Sequence, residues 1–202
     1  MRWMPLMMVM LGCAENESDV DEPAPVEVDE PLYSENARVY DFGNSGDTSW
    51  FAVNDTVMGG VSSGTLSYEE SSMIFEGAVS TDNNGGFTSI RSPQSAVDLS
   101  EYDRVIVRLR SEGQPFSMIL AHNPYWWQDQ YKVDINVDTT DWTVVEIPFS
   151  DFQVYTNQGG YPGPTGEKLT PEDASEILHM EFMSKLFEDG PFRFEVDFIA
   201  FD

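Results

Sequence analysis

Two histidines, one cysteine and an abundance of acids set the chemistry open to this chain. His122 and His179 share no two-histidine spacing, so a zinc centre would lack the nitrogen and sulfur ligands it needs. Cys13, being alone, excludes an internal disulfide and a cysteine-based zinc cluster. No stretch follows the EF-hand pattern, which leaves calcium without an address. With 36 Asp and Glu residues, some pair of carboxylates will meet in any fold, so no glycosidase-like pair can be singled out. Ser62, Ser63 and His122 lack the Gly-x-Ser-x-Gly elbow of an activated serine. Gly59-Gly60 runs on into Val-Ser-Ser-Gly, without the Lys-Ser/Thr of a phosphate loop. The expectation is a non-enzymatic chain with no catalytic residue, no cofactor and no metal.

Binding chemistry is better represented. His122-Asn123-Pro124-Tyr125-Trp126-Trp127-Gln128-Asp129-Gln130 puts three aromatic rings among amides and an acid, between two strand-like segments. Flat rings suit the C–H faces of a sugar and amides suit its hydroxyls; the same rings would equally cap the rim of a β-sandwich with their polar tips wet. Tyr155, Asn157, Gly159-Gly160, Tyr161, Pro162 and Pro164 are expected to form a second aromatic loop bordering the same face. The candidate ligand contacts are Asn123, Tyr125, Trp126, Trp127, Tyr155 and Tyr161. His179, in an alternating stretch, is expected to be structural.

Net charge argues against two partner classes. At -26, with 10 basic residues in 202, the chain has no basic surface for nucleic acid or for an anionic membrane. A membrane would be reached only through a lipid anchor. Met1-Arg2 followed by an apolar run to Leu11 has the build of an export signal, too short to span a bilayer. Met10-Leu11-Gly12-Cys13 resembles a bacterial lipoprotein box, in which the cysteine is lipidated. Residues 1–12 are therefore expected to be a signal peptide and Cys13 the anchor. Residues 13–36, rich in Glu, Asp and Pro, are expected to be an acidic disordered tether. Residues 37–202 form the domain, expected to be a monomer at the cell envelope.

The elements that must position these loops are strands. Arg38 to Phe42, Thr65 to Tyr68, Met73 to Val79, Gly86 to Arg91, Arg104 to Arg110, Phe116 to Ala121, Tyr131 to Val137, Trp142 to Phe149 and Phe192 to Ala200 carry apolar residues at every second place or as short apolar runs. On the last, Phe192, Phe194, Val196 and Phe198 are expected to face inward. Thr170-Pro171-Glu172-Asp173 has the N-cap, proline and acids of one short helix. The pattern is that of an all-β sandwich or jelly roll.

Two corners stand out within that frame. Val53-Asn54-Asp55-Thr56-Val57-Met58-Gly59-Gly60-Val61-Ser62 and Asn83-Asn84-Gly85-Gly86-Phe87 both place Asn or Asp ahead of Gly-Gly. With no phosphate, metal or nucleophile chemistry in either, they read as architecture, their polar side chains bonding local backbone. These segments, with Trp50, Phe75-Glu76-Gly77, the run from Phe87 to Arg91, Asp98 to Asp103, Trp142 to Phe149 with Phe152, and Asp189-Gly190-Pro191-Phe192, resemble the complex I intermediate-associated protein family over about Val39 to Phe201. The motif positions are Trp50, Asn54, Asp55, Met58, Gly59, Gly60, Asn84, Gly85, Gly86, Phe87 and Arg91. The resemblance implies a galactose-binding-like jelly-roll β-sandwich and a non-enzymatic role, with relatives that act as assembly chaperones in mitochondria and plastids. An export signal would put this member on the other side of the membrane from that work, which implies a kept fold with a changed partner. The expected function is a binding module that recognises a protein or a glycan at the cell envelope; the alternatives are an assembly factor for a membrane complex and a carbohydrate-binding module.

Overall fold

The computed structural model describes residues 31–43, 46–125, 127–158 and 161–202, with the side chains at 57, 157, 158, 161 and 162 left out. Cys13 and Trp126 lie outside the described residues, as does the side chain of Tyr161. Within them are two antiparallel sheets and one short helix.

The first sheet contains β1 (Arg38–Asp41), β3 (Ser63–Tyr68), β4 (Met73–Val79), β6 (Arg104–Gly113), β9 (Thr139–Pro148) and β13 (Gly190–Phe201). Its order is β3-β4-β13-β6-β9, with β1 also paired to β13. The second contains β2 (Phe51–Asn54), β5 (Thr88–Arg91), β7 (Phe116–Ala121), β8 (Gln130–Ile135), β10 (Gln153–Gln158), β11 (Tyr161–Lys168) and β12 (His179–Ser184), in the order β11-β10-β8-β7-β12-β5-β2. Between the sheets lies one apolar cluster to which both contribute. Phe194 of β13 stacks on Phe116 of β7 with centroids 4.4 Å apart and meets Phe182 of β12 at 5.1 Å.

β13 is the spine of the first sheet. β6 runs along one of its edges, while β4 and then β1 share the other. Its alternation breaks once. The register against β6 shifts between Val196 and Phe198, and a bulge of this kind exchanges the faces of every residue beyond it. Phe192, Phe194 and Val196 therefore enter the main core, as do Ile199 and Phe201. Phe198 turns out instead and joins Ile106 and Ala200 in a small second cluster, which corrects its expected inward orientation. Tyr33 lies edge-on to Phe198 at 5.2 Å, and both the amide and hydroxyl of Ser34 donate to Asp202. Residues 33 and 34, placed in the tether on sequence grounds, thus sit against the domain.

The helix α1 (Pro171–Ala174) is a single turn. Thr170 and Asp173 close it reciprocally as a capping box, with Pro171 in its first turn. The segment from Tyr155 to Pro164, expected to be a loop, belongs to the β10–β11 hairpin: Tyr155 pairs with Pro164 and Thr156 with Gly163. Pro162 and Pro164 concealed the strand in the sequence; both lie on β11, an edge strand, where a residue without an N–H is tolerated.

Candidate functional site

The two faces of the second sheet are fixed by side-chain parity. Met118 and Leu120 of β7, Met180 and Phe182 of β12, Ile90 of β5, Tyr131 of β8 and Val154 of β10 all lie in the core. Their neighbours in sequence must point to the outer face. Register then aligns seven outward residues, one from each strand, in a single cross-strand row: Phe51, Arg91, Glu181, Ile119, Lys132, Gln153 and Lys168. At about 4.8 Å per strand, Arg91 and Lys132 stand about 14 Å apart across the sheet.

This row has unusual electrostatics for so acidic a protein. Glu181 is buried, and its Oε1 lies 3.1 Å from Arg91 Nη2. The contact is a charge pair rather than an aligned hydrogen bond, because Glu181 Oε1 and the buried Arg91 Nε both lack a hydrogen-bond partner. His179, two residues before Glu181 on the same face, is also buried, with Nδ1 unpartnered. Its burial, opposed by Glu181 and aided by Arg91, lowers its pKa, so the imidazole is neutral at pH 7. Lys132 is half-buried and enters no ion pair or hydrogen bond among the described residues; its Nζ lies over the ring of Tyr155, 5.1 Å from the centroid. Burial lowers the Lys132 pKa, against the pull of Asp134 and Glu181. Asp134 is itself engaged, accepting from the Ser117 hydroxyl at 2.7 Å.

The aromatic loop rises at one end of this face. It leaves β7 at Ala121 and returns at Gln130, which pair with each other, and Gln130 pairs onward with Tyr155. Tyr125 and Trp127 stack on one another at 4.7 Å and about half of each is exposed. Asn123 is a turn-former: its Oδ1 accepts from the Tyr125 amide at 3.0 Å, and its Nδ2 donates to the Asp129 carbonyl at 3.4 Å. Beyond Tyr155 the β10–β11 hairpin continues past the same end of the sheet, carrying Tyr161 at its tip. His122 is drawn away from the face, bonded through Nε2 to the Asp173 carbonyl at 2.6 Å.

The two Gly-Gly corners lie at the opposite end, and one carboxylate joins them. Asp55, 1% exposed, accepts at Oδ1 from the Ser62 amide (3.0 Å) and at Oδ2 from the Ser62 hydroxyl (2.6 Å), the Gly86 amide (2.7 Å) and the Phe87 amide (3.3 Å). Burial pushes the Asp55 carboxyl up, but these four donors outweigh it and hold it below the usual range. A Cβ on Gly60 or on Gly85 would overlap this carboxylate. Gly59 and Gly86 serve differently, at φ of 91° and 133°, a region that ordinary residues resist. Asn84 also has positive φ. Asn54 donates to the Gly64 carbonyl at 3.2 Å and accepts from the Thr88 hydroxyl. Trp50 is buried and stacked on Phe182 at 5.8 Å, whereas Met58 is exposed. Of the motif positions, only Arg91 reaches the outer-face row.

Thus Arg91 and Tyr155 share the outer face with Glu181 and Lys132, which the sequence did not single out, and with His179, which was expected to be structural. Among the described residues, no group of three or more His, Cys, Asp or Glu side chains stands close enough to hold a metal ion, and no helix is long and apolar enough to cross a membrane.

A seven-stranded sheet with a polar outer face, backed by a second antiparallel sheet, is the architecture of a galactose-binding-like β-sandwich. The family model of Complex I intermediate-associated protein 30 matches residues 40–196, and the chain belongs to that family. Among solved structures it is similar to the family 11 carbohydrate-binding module of the cellulosomal cellulase Lic26A-Cel5E of Clostridium thermocellum, at 19% identity and a TM-score of 0.59, over 84% of this chain and 96% of that one. It is similar too to the Clostridium thermocellum family 11 module in complex with a β-1,3-1,4-mixed-linked tetrasaccharide, at 19% identity and a TM-score of 0.58, over 82% and 95%. At that identity the likeness is one of fold. No curated protein matches the chain.

Proposed function

We propose that this chain is a non-enzymatic binding module that holds a glycan across the outer face of its seven-stranded sheet. The observation that carries the reading is the outer face itself: the half-buried Lys132 lies over the Tyr155 ring with no ion pair or hydrogen bond among the described residues, in one cross-strand row with Arg91, Gln153 and Lys168. The Lys132 ammonium and the partly exposed Arg91 guanidinium are donors that sugar hydroxyls can satisfy. Tyr155 and the exposed Tyr125–Trp127 stack supply flat apolar surface at the end of the row. The glycan held by the family 11 module is that protein's ligand, and it provides a first probe. Affinity electrophoresis in gels containing soluble polysaccharides, mixed-linkage β-glucan among them, should retard the wild type. Arg91→Met and Tyr155→Ala should migrate as in a blank gel. Wild-type migration unchanged in every polysaccharide tested would end the reading.

The family match over 40–196 supports a second reading, in which the partner is a protein and the role is assembly of a membrane complex. Pull-down from solubilised membranes separates the two: enrichment of subunits of one complex, unaffected by Arg91→Met, favours assembly. In either case the module is proposed to be exported and lipid-anchored through Cys13, as a monomer. Metabolic palmitate labelling that is lost in Cys13→Ser tests the anchor.

A further inference from the structure

We infer that the glycan is an acidic one, and that Lys132 receives its anionic group; this rests on the glycan-binding reading above. The chain carries 36 acids against 10 bases, so a base without an acidic partner needs a reason. Of the first-sheet arginines, Arg104, Arg108, Arg110 and Arg193 each meet at least one carboxylate while Arg38 donates to the Tyr40 hydroxyl at 2.9 Å, and Lys185 meets Glu188 at 2.7 Å. Lys132 and Lys168, by contrast, form no ion pair among the described residues, and they share one row with Arg91 on the outer face of the second sheet.

The state of Lys132 is the sharper point. A cation removed from water needs a counter-charge or a donor–acceptor shell. Among the described residues Lys132 has only the π-face of Tyr155, with Asp134 turned to Ser117 and Glu181 turned to Arg91. An anion entering from the open side of the sheet would complete the ammonium's coordination. Arg91 offers a second cation about 14 Å away along the row, and Lys168 a third, two strands beyond Lys132. A polymer with a repeated negative charge, lying across the strands, meets the two unpaired lysines and, further along, the Arg91 that Glu181 already pairs. Its charge is a carboxylate or a sulfate, since either satisfies an ammonium; Tyr155 beside Lys132 would pack on the ring that carries it.

The test uses the full chain and three soluble polymers: polygalacturonate for the carboxylate, dextran sulfate for the sulfate, and mixed-linkage β-glucan as the neutral control. Binding by calorimetry is read at low salt and at 0.5 M NaCl, for the wild type and for Lys132→Met, with thermal melts confirming that the variant is folded. The wild type should bind one of the acidic polymers, with affinity reduced by salt. Lys132→Met should lose about tenfold or more of it, the usual range for a hydrogen bond to a charged group. Loss in polygalacturonate identifies a uronate carboxylate; loss in dextran sulfate identifies a sulfate ester. Binding of β-glucan alone, or acidic-polymer binding that Lys132→Met leaves unchanged, overturns the inference while the glycan reading stands. Binding of no polymer overturns both.

Discussion

Asp55 and Lys132 are opposite charges near opposite ends of one sheet, and the protein treats them in opposite ways. Asp55 is buried and receives four donors, two of them backbone amides of the second corner, 31 and 32 residues further on. Lys132 is half-buried and its ammonium donates to no acceptor among the described residues. A charge whose partners are all supplied from within holds the fold; a charge left open can serve something that arrives from outside. The outer face of the first sheet makes the same point. There Glu195 accepts from Arg110 and from Arg193 at 2.7 Å each, Arg193 also reaches Glu76, and Arg108 and Arg110 lie over the Trp142 ring at 5.0 and 4.7 Å. That face is a ladder of paired charges, and its hollow beside Arg110 and Arg193 is lined by ion-paired arginines, although Arg110 Nε and Ser111 Oγ have no hydrogen-bond partner among the described residues.

The largest effect should come from filling the space around Asp55. Gly60→Val puts branched carbons where the carboxylate sits, and the domain should fail to fold, with loss of the cooperative thermal transition. Asp55→Asn keeps the shape but turns an NH2 group toward donors; it should cost about 3–5 kcal/mol, the range for breaking a buried charged network, measured by urea denaturation. The pH dependence follows in sign. Asp55 has a folded pKa below its unfolded value of about 3.8, so its contribution is complete above pH 4 and is lost as pH falls through the folded value. Wild-type stability should fall in that window more steeply than that of Asp55→Asn. Equal slopes would mean that Asp55 is not the charge that matters.

Alternation made Tyr131 to Ile135 and Arg104 to Leu109 legible as strands, because Tyr131 and Ile135 and then Val105, Val107 and Leu109 share the core face, while Ile106 joins the small second cluster on the other side. The bulge after Val196 was not legible, since a run of aromatics looks the same whether or not one residue is skipped. The corners could be seen as unusual from their glycines, and their polar residues were expected to bond local backbone. That Asp55 ties one corner to the other could not be seen, because the partners are distant in sequence. The outer-face row was the least legible part. Each member is ordinary in its own strand, and only the register of seven strands, two of them concealed by Gly and Pro in the β10–β11 hairpin, sets Arg91, Glu181, Lys132 and Lys168 in line.

A smaller effect is expected on the ladder of paired charges. Glu195→Gln removes one buried charge from two arginines that remain partly wet and keep other contacts. The cost should be about 1–3 kcal/mol, with no change in polysaccharide binding. A change in binding there would blur the contrast between the two faces.

The smallest effect on stability, and the most informative, belongs to Lys132→Met. If Lys132 were a structural group like Asp55, its removal would destabilise the domain. If it is an open charge, removing it relieves a desolvated cation and keeps the apolar stem over Tyr155, so stability at pH 7 should be unchanged or raised, by up to about 1 kcal/mol. The sign can be checked by pH. Burial lowers the folded pKa below the ordinary 10.5, so between the two values the unfolded chain binds more protons and wild-type stability rises with pH. The advantage of Lys132→Met should therefore shrink as pH climbs through that window and vanish once both states are neutral, leaving the two proteins equal. A variant that is less stable than wild type at pH 7 would place Lys132 with Asp55 among the groups that hold the fold.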